Sequence, residues 1–157
     1  MPPLLSVIEK ISENSTVSEQ LLTYPGMQTV SSLKRIPGYG LIAAVSASLD
    51  LSLWSIESRT LVQKYSAALV TCGGCISFLG VGGPGQLLIG SSDGSVCLRE
   101  VRRKEEAPRY QCVLIRFWDC PDPLDACPVT AALIDGDSAT LLVGDAGCRV
   151  RFLSSLV

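Results

Sequence analysis

The sequence repeats itself at an interval of 45 residues, the distance from Pro37 to Gly82, and this periodicity constrains the fold more than any other feature. After that shift Pro37–Ala44 falls on Gly82–Ile89 without a gap. A third copy follows at a shift of 54, where Leu141–Gly144 repeats the apolar run at Leu87. Repeats of this length are single supersecondary units that bury their apolar faces by stacking against neighbouring copies.

Each copy divides into short apolar runs separated by turn residues, which predicts antiparallel strands. In the middle copy we expect strands at about Cys75–Leu79, Gln86–Ser91, Ser95–Val101 and Tyr110–Trp118. The Asp93-Gly94 dipeptide is the strongest hairpin signal of the chain. Counting all copies gives about thirteen strands.

Inner strands such as Leu41–Val45 are apolar on both faces. A sheet with one solvated face would alternate apolar and polar residues, so this pattern indicates sheets covered on both sides. A propeller blade is covered in this way by its two neighbours. A generic β-sandwich or barrel is the alternative architecture.

The stretch from Tyr65 to Ser92 carries no charge and is long enough to span a bilayer. It is interrupted by Gly73-Gly74 and by the Gly-Pro cluster of 80–85, and a proline inside a helix costs about 3 kcal/mol. Two buried strands joined by a Gly-Pro turn fit the stretch better, and we expect no membrane association.

We therefore predict an all-β fold, a β-propeller segment of about three blades with four-stranded antiparallel sheets in an incomplete ring. Propellers typically close with four to eight blades, so we expect other protein partners, a symmetry mate or a longer parent chain to supply the missing ones.

The nine extra residues of the third copy should lie between strands, near Arg102–Pro108 or Asp119–Pro128, where insertions are well tolerated. The expected units are 1–28 (the last two strands of an incomplete first blade), 29–73 (a blade), 74–127 (a blade with longer inter-strand loops) and 128–157 (the first three strands of an incomplete last blade).

Two segments carry a resemblance to a known family. Leu88–Arg99, which reads LIGSSDGSVCLR, resembles the second strand, turn and third strand of a WD repeat. Leu51–Ser55 resembles the closing strand of that repeat, with Trp54 at the family's tryptophan position. The resemblance covers about residues 4–157, and two copies match well. It implies four-stranded blades around a central channel and a noncatalytic scaffold or adaptor for protein–protein interaction.

The chain departs from the WD family in its polar residues. WD repeats commonly carry a Gly-His dipeptide before the first strand, and this sequence contains no histidine. The usual network joins that histidine to a turn aspartate, a strand serine and the tryptophan, so no copy completes it. The middle copy keeps Ser91 and Asp93 but has Arg99 in place of the tryptophan, whereas the earlier copy keeps Ser46 and Trp54. We expect cohesion to come more from apolar packing.

Composition excludes several functional classes. The formal net charge is −2 and no basic stripe is interleaved with aromatic residues, which argues against nucleic-acid binding. The N-terminal apolar run has no preceding positive charge, so a signal peptide is not expected. Seven cysteines, an odd number at irregular spacing, favour reduced thiols in a cytoplasmic protein, mostly buried as small apolar side chains.

The pair Cys72 and Cys75 has the spacing of a redox motif or of half a zinc site, and a metal-binding or thiol-redox protein is the alternative function. Against it, a thioredoxin-like motif begins a helix, whereas this one leads into a strand in which the repeat assigns Cys75 a core position. Further zinc ligands would have to come from Cys112, Cys120 and Cys127, which lack a second paired spacing.

The remaining chemistry-bearing residues give no catalytic site. Without histidine, no Ser-His-Asp or Cys-His arrangement exists. The aspartates of the C-terminal third fit no calcium loop and are expected to be solvated turn formers: Asp119, Asp122, Asp125, Asp135, Asp137 and Asp145. We predict no enzyme activity, no cofactor and no metal.

A candidate protein-binding segment lies between residues 102 and 118. It begins with an exposed charged loop, Arg102–Glu106, and continues into a strand with residue types that are enriched in binding hot spots. The residues expected to contact a partner are Arg102, Arg103, Lys104, Tyr110, Arg116 and Trp118.

Overall fold

The computed structural model describes residues 4–8, 19–23, 30–46, 50–66, 70–71, 74–106, 110–120, 122–135 and 140–154. These residues include thirteen strands, one short 3-10 helix, Pro123–Asp125, and two further helical residues, Val70 and Thr71. The strands are β1 (Leu4–Ile8), β2 (Glu19–Thr23), β3 (Val30–Ile36), β4 (Leu41–Ser46), β5 (Leu51–Ser55), β6 (Leu61–Tyr65), β7 (Ile76–Val81), β8 (Gln86–Ser91), β9 (Val96–Arg103), β10 (Tyr110–Trp118), β11 (Val129–Asp135), β12 (Thr140–Asp145) and β13 (Val150–Ser154).

The strands pair with their neighbours in sequence and form four antiparallel sheets. β1 pairs with β2, β3–β6 form the first four-stranded sheet, β7–β10 the second, and β11–β13 a three-stranded last sheet. The first strands of neighbouring sheets contact one another, β3 against β7 and β7 against β11, so β6 and β10 lie at the opposite edges. The sheets do not close into a ring within the described residues. The predicted all-β propeller segment is confirmed, while the exact unit boundaries stay a prediction.

Equivalent positions of the sequence repeat form the same backbone hydrogen bonds in the structure. In three sheets the last residue of the second strand donates its backbone N–H across the following turn, at 2.9–3.1 Å. These bonds run from Ser46 to the carbonyl of Asp50, from Ser91 to that of Ser95, and from Asp145 to that of Arg149. The same three sheets carry a β-bulge in the first strand, at 30/32, 76/78 and 129/131. The copies are therefore equivalent in backbone geometry as well as in sequence.

The two Gly-Pro turns are equivalent corners of adjacent sheets, as the alignment requires. Residues 37–40 join β3 to β4, and residues 82–85 join β7 to β8. Gly85 donates its N–H to the carbonyl of Pro37 at 2.8 Å, so the corners touch. Gly85 has a φ of +71°, and a Cβ there would lie 2.5 Å from the ring of Tyr39, so this position requires glycine.

Two apolar cores separate the three larger sheets. Leu87 and Leu88 are adjacent in β8 and point to opposite faces, yet both are buried. Leu87 belongs to the core shared with β3–β6, and Leu88 to the core shared with β11–β13. The second sheet is thus dry on both faces, which explains its nearly continuous apolar strands.

The extra length of the third interval was expected in loops, and this was wrong. β9 has eight residues against five in β5, and β10 has nine against five in β6. The ladder continues to the pairs Arg103 with Tyr110 and Arg102 with Gln111, so both arginines lie in a strand rather than in the expected charged loop. Because paired backbone satisfies its own hydrogen bonds, the insertion extends the hairpin.

Candidate binding surface on strand β10

β10 is the outer strand of the second sheet, and its exposed side chains are largely apolar. Leu114, Ile115 and Phe117 are 42, 37 and 43% exposed. Scattered apolar residues are normal on protein surfaces, but three within four positions of one edge strand are a contiguous apolar strip. The strip lies within the segment that the sequence indicated as the partner-binding region.

A β-bulge divides β10 into two halves with different orientations. The register shifts between Leu114, which pairs with Arg99, and Arg116, which pairs with Leu98. In a regular strand Tyr110, Arg116 and Trp118 would share one face, because their positions differ by even numbers. The bulge turns Arg116 and Trp118 to the other face. The structure therefore places the candidate residues in two groups.

The first group lies in a groove between the first and second sheets. Arg103 and Tyr110 line it together with Arg35 and Glu57, and its volume is about 610 Å³. The hydroxyl of Tyr65 donates to the carbonyl of Tyr110 at 3.1 Å, which anchors the start of β10 against the first sheet. Burial raises the pKa of Tyr65 to about 12, so this donor keeps its proton at neutral pH.

The second group lies in a groove between the second and last sheets. Arg116 and Trp118 line this groove of about 550 Å³, with the apolar side chains of Leu98 and Ile134 and the carboxylate of Asp135. Trp118 also packs against the core between the two sheets. An aromatic wall beside an arginine is a common composition of protein-binding hot spots.

The two remaining candidate residues lie outside both grooves. Arg102 is exposed and forms an ion pair with Glu100, 3.5 Å between Nε and Oε1. Lys104 is exposed just after β9. An exposed ion pair of this kind contributes little to stability, so it leaves Arg102 available to a partner. Lys104 is available because its side chain is exposed. That these six residues bind a partner stays a prediction.

Sequence reasoning missed a buried ionic cluster in the last sheet. Asp145, expected to be a solvated turn residue, has a fully buried side chain. Its carboxylate oxygen Oδ2 lies 3.1 Å from Nη2 of Arg149 and 3.7 Å from Nε of Arg151. Arg149 also pairs with Asp125. The repeat carried a signal, because Asp145 falls at the position of the buried serines Ser46 and Ser91.

This cluster makes the stability of the last sheet dependent on pH. Burial of Asp145 opposes ionisation, but the hydrogen bonds from Arg149 and Gly147 outweigh it and lower the pKa from 3.8. A carboxyl whose pKa is lower in the folded than in the unfolded state stabilises the fold above the unfolded value. That stabilisation is lost as the pH falls through the folded pKa.

We expect Asp145→Asn to lower the melting temperature at neutral pH and to flatten the acid dependence of stability, because the amide cannot carry the charge that Arg149 and Arg151 face. Thermal unfolding measured from about pH 7 to about pH 3 checks this. Glu106→Gln, which removes an exposed loop carboxylate, is the matched control and should follow the wild-type profile. An unchanged acid profile in Asp145→Asn would contradict the assignment.

The WD tryptophan position keeps a buried N–H donor even where the residue changes. Nε1 of Trp54 donates to the hydroxyl of Ser52 at 2.9 Å. Nε of Arg99, at the equivalent position 45 residues later, donates to the carbonyl of Val70 at 2.7 Å. Both donors thus have an acceptor without histidine, two residues away for Trp54 and 29 residues away for Arg99.

The cysteines are less buried than expected. Of the six in the described residues, Cys97 and Cys120 are buried, Cys112 and Cys127 are half-buried, and Cys75 and Cys148 are exposed. The core position assigned to Cys75 is instead filled by Ile76, the first residue of β7. Cys72 lies outside the described residues, so the structure leaves the Cys72/Cys75 pair untested, as it does Asp137. Burial raises the pKa of the Cys112 thiol to about 11, although Arg99 lowers it, so this thiol is protonated at neutral pH.

No group of three or more Cys, Asp or Glu side chains among the described residues is placed to hold a metal ion. No helix in the described part of the chain is long and apolar enough to cross a bilayer.

Comparisons with known proteins place the fold. No family model and no curated protein matches the chain. The β-propeller domain of Cps50 (Swd1) from Myceliophteria thermophila is similar, with a TM-score of 0.59 and 13% identity over 99% of this chain and 54% of that one. The C-terminal WD40 domain of Sif2 is similar with a TM-score of 0.61 and 14% identity, over 96% of this chain and 46% of the other. The chain has the fold of part of a WD40 β-propeller and spans about half the length of these structures.

Proposed function

We propose that this protein is a noncatalytic WD-type scaffold in the cytoplasm that binds other proteins and forms part of a larger propeller assembly. The propeller-type fold supports a scaffold function, because its sheet faces and edges offer broad surfaces for contact with other proteins. The observation that carries the assembly part is the open face of the last sheet.

That open face repeats positions that are buried one sheet earlier. Val96 and Leu98 of β9 are 1 and 6% exposed, because the last sheet covers them. Their equivalents at the 54-residue shift, Val150 and Phe152 of β13, are 68 and 70% exposed. Leu133 of β11 adds a further exposed side chain, since it pairs with Leu142, which pairs with Phe152 on the same face. The last sheet therefore presents a stacking surface that lacks a covering sheet among the described residues.

A further β-sheet is the occupant that fits this surface. Side chains at these positions pack against the next sheet in both instances where the structure shows the contact, Leu51 and Leu53 of β5 against β7–β10, and Val96 and Leu98 of β9 against β11–β13. Exposed apolar patches of this kind mark interaction sites on folded proteins. The partner we propose thus contributes one or more further blades.

The test uses the full chain isolated with its assembly from the cells that make it. We expect the wild type to elute well above the mass of one chain and the pair Val150→Asp/Phe152→Asp to elute as a monomer, by light scattering after gel filtration. Both residues are exposed, so the pair should keep the circular-dichroism spectrum of the wild type.

Hydroxyl-radical labelling of Phe152 supplies the second measurement. In the wild-type assembly we expect Phe152 to be protected, while Leu124, which is fully exposed on the 3-10 helix, remains labelled as the internal control. A wild-type monomer with freely labelled Phe152 would refute the proposal.

A further inference from the structure

The free edge of β10 is built differently from the equivalent edge of the first sheet. β10 pairs only with β9 among the described residues and runs for nine residues without proline. β6, its counterpart, has five residues and carries Lys64, which pairs with Asp50 at 3.3 Å. Short edge strands and edge lysines are the usual protection against strand pairing. β6 has both of these protections. β10 has neither, and the protective features that it carries are the bulge between Leu114 and Arg116 and the single charge of Arg116.

An added strand at this edge would have a receptor for its side chains on each face. Successive side chains of a strand point to opposite faces. Those on one face would enter the groove of Arg103 and Tyr110, and those on the other would enter the groove of Arg116 and Trp118. The exposed side chains of Leu114 and Phe117 lie along the same edge.

The charge of the site favours an acidic occupant. Arg116 is the sole charged residue within β10. The two grooves together hold three arginines, Arg35, Arg103 and Arg116, against the two carboxylates Glu57 and Asp135. A carboxylate opposite Arg116 on a neighbouring strand would form a favourable cross-strand pair.

We propose that β10 accepts an extended segment of a partner protein as a fifth strand of the second sheet, and that this segment alternates apolar residues with carboxylates. Backbone hydrogen bonds to the free edge supply affinity, and the two grooves and Arg116 supply specificity. This surface differs from the open face of the last sheet, although Leu133 of that face also lines the groove of Arg116 and Trp118, and it rests on the proposed function only in requiring a protein partner.

The probe is a capped nine-residue peptide that alternates valine with glutamate. We expect it to bind the full chain and to slow hydrogen–deuterium exchange at the amides of β10, while the amides of β6 remain unchanged. A peptide that alternates valine with lysine should bind about fivefold more weakly, the size of a favourable cross-strand charge pair. The glutamate peptide with methylated backbone nitrogens should not bind, because it cannot donate to the edge.

Two variants distinguish the contribution of the Arg116 charge from that of the apolar side chains along the β10 edge. Arg116→Glu should reverse the preference between the glutamate and lysine peptides, and Leu114→Ser/Phe117→Ser should weaken binding of both while leaving the circular-dichroism spectrum unchanged. The pair Val150→Asp/Phe152→Asp should bind the peptide like the wild type, which distinguishes this site from the proposed assembly face. The absence of protection at β10, equal protection at β6, or an unchanged preference in Arg116→Glu would overturn the proposal.

Discussion

Leu88→Ala is expected to lower the free energy of unfolding by about 2–5 kcal/mol, the cost of deleting a large apolar side chain from a packed core. Leu88 is 1% exposed and packs against Val129, Leu141 and Val143 across the boundary between the second and last sheets. The lost contacts leave a cavity that neither sheet can fill, because both backbones are fixed by their own ladders. Equilibrium denaturation with urea measures the change.

The matched control is the same substitution on the uncovered sheet. Leu133 of β11 is 64% exposed, so Leu133→Ala should change the free energy of unfolding by no more than about 0.5 kcal/mol. Equal losses at Leu88 and Leu133 would show that the boundary between the sheets is not packed as described.

Gly90→Ala is expected to destabilise the protein by about 1–3 kcal/mol through overpacking. A Cβ at Gly90 would lie 2.5 Å from Cγ1 and 2.7 Å from Cβ of Val129. Val129 cannot retreat easily, because it is fully buried and its carbonyl accepts a hydrogen bond from the hydroxyl of Ser77 at 2.8 Å. Val129→Ala in the double variant removes the closer of these two contacts, the one to Cγ1, and should restore part of the loss, which a double-mutant cycle measures.

Gly144 provides the comparison, since it holds the equivalent position in the last sheet. A Cβ there would meet Ala131 at 3.6 Å, an ordinary contact. Gly144→Ala should therefore be neutral or stabilise the isolated chain by up to about 1 kcal/mol, because alanine restricts the unfolded chain. A large loss at Gly144 and none at Gly90 would reverse the assignment of covered and uncovered faces.

Most of the fold could be predicted from the sequence because the strongest signal is the alignment of the repeat copies with one another. Aligning Pro37–Gly40 with Gly82–Gly85 required the two turns to be corresponding corners, and the hydrogen bond from Gly85 to Pro37 joins them. Continuous apolar runs such as that at Leu87 and Leu88 predicted burial on both faces, since alternation is needed only when one face is wet. Both inferences depend on comparing copies rather than on any single residue.

The features that sequence reasoning missed depend on local register or on tertiary contacts. The bulge between Leu114 and Arg116 places Arg116 and Trp118 in a different groove from Tyr110. No residue type within β10 predicts that register shift. The aspartate at position 145 was interpreted by its residue type, although its place in the repeat indicated burial. That burial is tolerated because of two arginines that follow in the chain, Arg149 from the turn after β12 and Arg151 from β13.

The row of sheets has a consequence for cooperativity. Within the described residues each large sheet packs against its immediate neighbours along the chain. Its resistance to opening is therefore the sum of its own ladder and those contacts. The second sheet has a packed neighbour on both sides, whereas the last has one, together with one strand fewer. Within the described residues, fraying should therefore begin at β13 and move inward, and any protein that covers the outer face of that sheet would suppress it throughout the row.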